Sequence, residues 1–210
     1  AASMTVAELK MLWEPAAQGK ITKWNQISPN WPDKKINLFG AGTDSGTFDY
    51  FTEAITGKSK SSRGDFTASE DDNVLVQGIG GDINALGFFG LAYYEENTDK
   101  LKLVGIDDGK GPVIPSEKTV KDGSYQPLSR PIFIYVSVKA AQRPEVKEFV
   151  EFYLNKAPKL VKDVKYIALP DAIYKKDLER FSKKEAGSVF GGEAKVGATI
   201  EDLFKEKPKM

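Results

Sequence analysis

Neither cysteine nor histidine occurs anywhere in the 210 residues. Without cysteine there are no disulfide frameworks, thiolate metal sites or cysteine nucleophiles, a composition compatible with life outside the cytoplasm. The absence of histidine removes the Ser-His-Asp triad, histidine-ligated zinc and the commonest general base, leaving only carboxylate or lysine chemistry to any enzyme built on this chain. An excess of charge is missing as well: thirty basic side chains balance thirty acidic ones. No broad field therefore draws nucleic acid or a membrane surface, and an anion could be captured only by local geometry. No segment approaches the length of a membrane span, and no secretory signal is read, so an exported form is expected to have lost its leader. What remains is a chain with 40% hydrophobic residues, enough to bury a core in one large or two small lobes.

The most informative stretch is Gly42-Thr43-Asp44-Ser45-Gly46-Thr47, followed by Phe48 to Ile55. An apolar run before it, Ile36, Leu38 and Phe39, reads as a strand. The glycines let the backbone approach a ligand, and Ser45 or Thr47 can cap a helix that Phe48, Phe51 and Ile55 pack down. The unsatisfied N–H groups and the positive end of the helix dipole would then face one point, which makes this turn a seat for an anion.

Along the rest of the chain, Thr5–Trp13 reads as a capped amphipathic helix with no strand before it, so that Ala1–Ser3 look like an appended remnant or the chain like a fragment. A polar loop, 58–65, carries Arg63. Ser69 is expected to cap the next helix, with Glu70, Asp71 and Asp72 in its first turn. Strands are predicted at 85–91 and 102–106, a short helix at 93–98, and a loop over 107–124. Pro131–Val138 (PIFIYVSV) is the strongest strand signal in the sequence. Helices follow from Pro144, over 158–164 and over 171–181, then a glycine- and lysine-rich tail with one weak helical turn at 200–205. Alternating strands and helices predict an α/β fold with a mixed sheet, whose sites lie at the carboxyl ends of strands, where 40–47 sits.

Four motifs together, GTDSGTFDYFTEAI (42–55), SSRGDFTASEDDN (61–73), ALGFFGLAYYEEN (85–97) and YQPLSRPIFIYV (125–136), resemble the PstS family of phosphate-binding proteins, in the branch that includes the cyanobacterial SphX type. The likeness runs from about Thr5 to the tail motif Gly187–Gly192. It implies a type II periplasmic-binding-protein fold: α/β, mixed sheet with flanking helices, two lobes closing over a phosphate destined for an ABC-type permease. It also implies a protein with no catalytic residue, cofactor or metal, working in the periplasm or outside the cell, with a membrane anchor supplied by an absent leader. By the same resemblance Ser45, Gly46 and Thr47 would bond phosphate oxygens. The arginine that many members place just before this triplet is absent from 40–44, and Arg63 is the natural substitute. The family normally carries on the order of a hundred further residues before the segment matching Thr5–Trp24. Residues 1–130 would then form a full second lobe, and 131–210 the return strand and C-terminal share of an incomplete first lobe, open to self-association.

Each residue also has a plainer reading. Ser45 and Thr47 are good helix caps without any ligand. Arg63 alone would be a solvated loop arginine, and only a facing anion would exploit its bidentate fork. Asp44 could brace Arg63, take a proton from phosphate, or serve as a turn residue. Asp44-Ser45-Gly46-Thr47 also spells an aspartic-protease loop, although such loops come in pairs and no second copy occurs. A further alternative is a fragment that binds nothing tightly and serves as a structural or interaction piece, since half a cleft offers few bonds in open water.

Overall fold

The computed structural model describes residues 2–190, 195–200 and 202. The chain divides into two compact units, Ala1–Ser129 and Arg130–Met210.

In the first unit β1 (Ser3–Thr5) leads directly into α1 (Val6–Trp13). The opening residues thus belong to the fold, against the expectation of no strand before α1: Ser3–Thr5 pair in parallel with β5 (Gly105–Asp107), which pairs antiparallel with β6 (Pro112–Val113). Three residues of alternating polarity are too short to register as a strand in sequence, and it is the distant partner that makes them one. Thr5 ends β1 and caps α1 in the same stroke, its hydroxyl accepting from the N–H of Glu8 at 3.1 Å while the Glu8 carboxylate accepts from the N–H of Thr5 at 2.7 Å.

The second sheet is wholly parallel, in the order β3 (Thr67–Ser69), β2 (Asn37–Ala41), β4 (Ala85–Phe88). Its crossovers are α2 (Gly46–Thr56) and α3 (Asp72–Gly80). With β5 and β6, which join by opposite directions, the α/β fold carries the mixed pairing expected of it. In α2, Phe48, Phe51, Thr52 and Ile55 are buried at helical spacing, and Gly57 ends the helix in the left-handed conformation at φ 84°. α3 begins at an Asp71 cap rather than at Ser69, because Ser69 is still paired in β3. The predicted strand 85–91 is shorter than expected, since Leu91 already opens α4 (Leu91–Glu95), and the loop 107–124 contains β6 and α5 (Glu117–Lys121).

The core of this unit closes around Trp13, which is 1% exposed. Its indole meets Phe51, Phe66 and Phe88 edge-on at 5.4, 5.4 and 5.0 Å, and Phe51 stacks on Phe88 at 3.8 Å. These aromatics come from α1, α2, β4 and the loop before β3, so one cluster ties the first helix to the parallel sheet.

In the second unit α6 (Pro144–Asp163) runs as one helix through Pro158, where two had been expected, and packs on α7 (Asp171–Ser182). Pro158 forfeits one intrahelical bond, while Val150, Leu154 and Ala157 form the buried face in the turns before it. Pro131–Val138 forms no strand among the described residues, and Ile132, Phe133, Ile134, Tyr135 and Val138 are exposed. Strand propensity expresses packing against neighbours on a sheet, and no neighbouring strand is present for this segment among the described residues. The expected tail turn at 200–205 and the end of the motif 187–192 lie mostly and partly, respectively, outside those residues.

Candidate anion site at the start of α2

β2 is the central strand of the parallel sheet, and its carboxyl end delivers the chain to Gly42. There the N–H of Gly42 donates to the carbonyl of Ser69 at 3.1 Å, and the N–H of Ser45 returns to the carbonyl of Gly42 at 3.0 Å, closing the turn. Ser45 is the N-cap, with extended backbone (φ −92°, ψ 132°), and its hydroxyl accepts from the N–H of Thr47 at 3.1 Å. The first intrahelical bond is made by Asp49, whose N–H reaches the carbonyl of Ser45 at 3.2 Å. Among the described residues, the N–H groups of Gly46 and Phe48 are left without a protein acceptor. Gly46 is exposed and Ser45 and Thr47 half-buried, so the positive end of α2 opens to solvent.

Asp44 and Glu70 complete the turn. The N–H of Asp44 donates to Oε1 of Glu70 at 3.2 Å, and a Cβ built on Gly42 would collide with that same carboxylate. Glycine at 42 therefore makes room for Glu70, which follows β3 as Gly42 follows β2. By spacing alone Glu70 belongs only to the first turn of the next helix, and nothing in the linear sequence signals a contact between residues 26 apart. Its neighbour Asp72 is held above the usual carboxylate range, first by burial and then by the charges of Asp71 and Glu70.

Arg63 is placed elsewhere. It is 4% exposed, and its Nη1 donates to the carbonyls of Leu12 at 3.1 Å and Ile21 at 2.9 Å. Nε and Nη2 grip the carboxylate of Asp65 at 2.5 and 2.9 Å. Its own N–H donates to the carbonyl of Trp13 at 3.0 Å. The residue thus covers the carboxyl end of α1, where the dipole is negative and the last carbonyls lack partners. Where Arg63 is expected to clamp an anion at Ser45–Thr47 with Asp44 as its brace, the structure lays it on the end of α1 with Asp65, two residues on, as its carboxylate partner. The fork suited to phosphate suits a carboxylate and two carbonyls equally well.

The Asp65 carboxyl is lowered to about 2, chiefly by the hydrogen bond from Arg63, with help from the N–H of Gly19. A carboxylate preferred in the fold contributes stability once it is ionised in the unfolded chain too. The contribution is therefore full above roughly pH 5 and fades as the pH falls through 3.8 toward about 2. Because the Asp65 side chain is 35% exposed, solvent screening reduces its worth to about 1 kcal/mol. Asp65→Asn is expected to lower the unfolding free energy from urea titration at pH 7 by that amount and to flatten the acid limb below pH 4. An acid limb identical to that of the parent would contradict this pairing.

A cavity of about 490 Å³ lies beside the start of β4, lined by Trp24, Trp31, Ile83, Asn84 and Lys100 among others, and does not include the turn at Ser45.

Comparison with known proteins bears on what such a seat serves. Residues 10–157 match the PBP superfamily domain. The chain is 52% identical over 206 residues to Protein SphX of Synechocystis, covering 98% of this chain and 61% of the relative. It is 40% identical over 173 residues to the phosphate-binding protein PstS of Staphylococcus haemolyticus, covering 79% and 53%. A crystal structure of "a possible phosphate binding protein" from Planctomyces limnophilus superimposes with a TM-score of 0.76 at 49% identity, covering 89% of this chain and 66% of that one. The chain thus spans 61% and 53% of the length of these two curated relatives. An aspartic-protease fold has no place for a DSGT turn that opens a helix over a parallel sheet. With 148 of its 210 residues (10–157) inside the matching domain, the chain belongs to the PBP superfamily.

Proposed function

We propose that this chain is the phosphate-holding part of an extracytoplasmic solute-binding protein serving an ABC-type phosphate permease, and that it carries out no catalysis. The observation that carries the reading is the solvent-facing start of α2, where the N–H groups of Gly46 and Phe48 have no protein acceptor and the hydroxyls of Ser45 and Thr47 lie beside them. Open N–H groups at the positive end of a helix make a ready seat for a tetrahedral anion. The names of the relatives point the same way, toward phosphate. Ser45, Gly46 and Thr47 are the contacts, with Asp44 at the rim; Arg63 acts at a distance, by holding the end of α1.

One observation favours a second reading, in which the chain serves as an interaction piece. Ile132, Phe133, Ile134, Tyr135 and Val138 are exposed, as are Phe149 and Phe152, and exposed apolar side chains of this size mark contact with another body or with a second copy when they gather into a patch. Titration with phosphate, followed at individual backbone amides, separates the two. Saturable shifts at Gly46 and Thr47 in the millimolar range, worth about 4 kcal/mol, are expected of a seat open to water. Amides that stay put at saturating phosphate leave only the interaction reading.

A further inference from the structure

Beside the start of β4 the hydrophobic core of the first unit is left uncovered. The cavity of about 490 Å³ found there is walled by Trp24, which belongs to the core, and by Trp31, Leu86 and Val104, which pack against it. Trp31 meets Trp24 edge-on at 5.6 Å and is only half-buried, as are Leu86, Leu101 and Val104. Apolar side chains around such a space keep a contact with water that a bound apolar body would remove. The volume falls in the range, about 300–1,000 Å³, in which small organic ligands are held. Its place in the fold is not that of the seat: Ala85, which lines the cavity, pairs with Asn37 at the amino end of β2, whereas Gly42 follows the carboxyl end of that strand, about 16 Å further along.

The polar groups of the cavity divide into those that hold the turn before β4 and those left over. Asp82 is engaged twice, Oδ1 accepting from the N–H of Asn84 at 2.8 Å and Oδ2 from the side-chain amide of Asn37. Trp24 Nε1 donates to the carbonyl of Asn84 at 3.2 Å. Lys100 and Lys102 also line the cavity, and both are exposed. The ammonium of Lys100 reaches only Asn97 Oδ1, at 3.5 Å, and the side chain of Lys102 makes no hydrogen bond or ion pair among the described residues. Two cationic side chains thus border an apolar hollow whose one lining acid is already held by two donors.

We propose that this cavity is a second binding site, separate from the anion seat, for a small organic anion with a flat apolar body, an aromatic carboxylate being the simplest example. The body covers the half-buried faces of Trp31, Leu86 and Val104, where ring-to-indole contact adds to the area removed from water. The carboxylate stays at the wet edge, with Lys100 and Lys102 as its charge partners. The assignment does not rest on the phosphate reading, since no residue of the seat lines the cavity.

The test titrates sodium 2-naphthoate and its neutral counterpart 2-naphthamide separately into the full chain at neutral pH, with the indole N–H groups of Trp24 and Trp31 and the amides of Ile83 and Asn84 as readout. Naphthoate is expected to saturate these signals at about millimolar concentration, and to bind about three- to fivefold more tightly than naphthamide. The paired change Lys100→Gln with Lys102→Gln, at two exposed positions, is expected to remove that preference while the binding of naphthamide stays as it was. Signals that do not move overturn the site. Equal binding of the two probes by the parent overturns the anionic class of ligand, and a preference that survives in the paired variant overturns the part given to the lysines. Naphthoate shifts confined to Gly46 and Thr47 would put the carboxylate at the start of α2 and overturn a second site.

Discussion

Replacing Arg63 by methionine is expected to cost about 3–5 kcal/mol of folding stability, a large share of what a domain of this size possesses. The methylene stem would survive and pack as before. The loss comes from the acceptors left behind: the carbonyls of Leu12 and Ile21 lose their donor, and Asp65 keeps a charge without its partner. Lysine retains the charge but not the fork, so Arg63→Lys should fall between parent and methionine. Urea midpoints for the three proteins, alongside Asp65→Asn, order the contributions. A methionine variant as stable as the parent would show that the buried guanidinium does not hold α1. This outcome also guards the functional experiments, because a lost phosphate signal in an Arg63 variant would report unfolding and not a missing ligand contact.

Gly46→Pro separates the seat from the fold. Proline is well suited to the first position of a helix, where its missing N–H breaks no intrahelical bond, and Ser45 already has the extended backbone, ψ 132°, that a residue before proline requires. The substitution therefore deletes one of the free donors of α2 and little else. Hydrogen bonds to a charged partner are worth about 1.5–3 kcal/mol each, so phosphate affinity should fall about 10- to 100-fold while the urea midpoint stays put. Unchanged phosphate affinity in a folded Gly46→Pro chain would remove the α2 amides from the site.

The two substitutions show where linear reading works in this protein. Ser45-Gly46-Thr47 before Phe48, Phe51 and Ile55 announces a capped helix because capping and amphipathic spacing are local, and the structure places the cap at Ser45 and buries all three apolar residues. The pairing of Arg63 with Asp65 is equally local, two residues apart, yet the spacing alone does not say that the pair turns inward onto α1. Pro131–Val138 carries every mark of a strand and forms none among the described residues, since a ladder needs a second segment that the run itself does not encode. Ser3–Thr5 is the converse, a strand made by a partner about a hundred residues away.

By itself, then, the sequence determined the alternation of strand and helix, the capped start of α2 and the exclusion of histidine and cysteine chemistry, all of which depend on residue type and on spacings of a few positions. The tertiary structure alone decided that Arg63 belongs to the end of α1, that Glu70 lies against Gly42 in the seat, and that two short segments at Ser3 and Gly105 become a sheet. Those outcomes depend on which distant carbonyl, amide or strand arrives within bonding distance, and a buried donor or acceptor takes whichever partner the packing of the core brings to it.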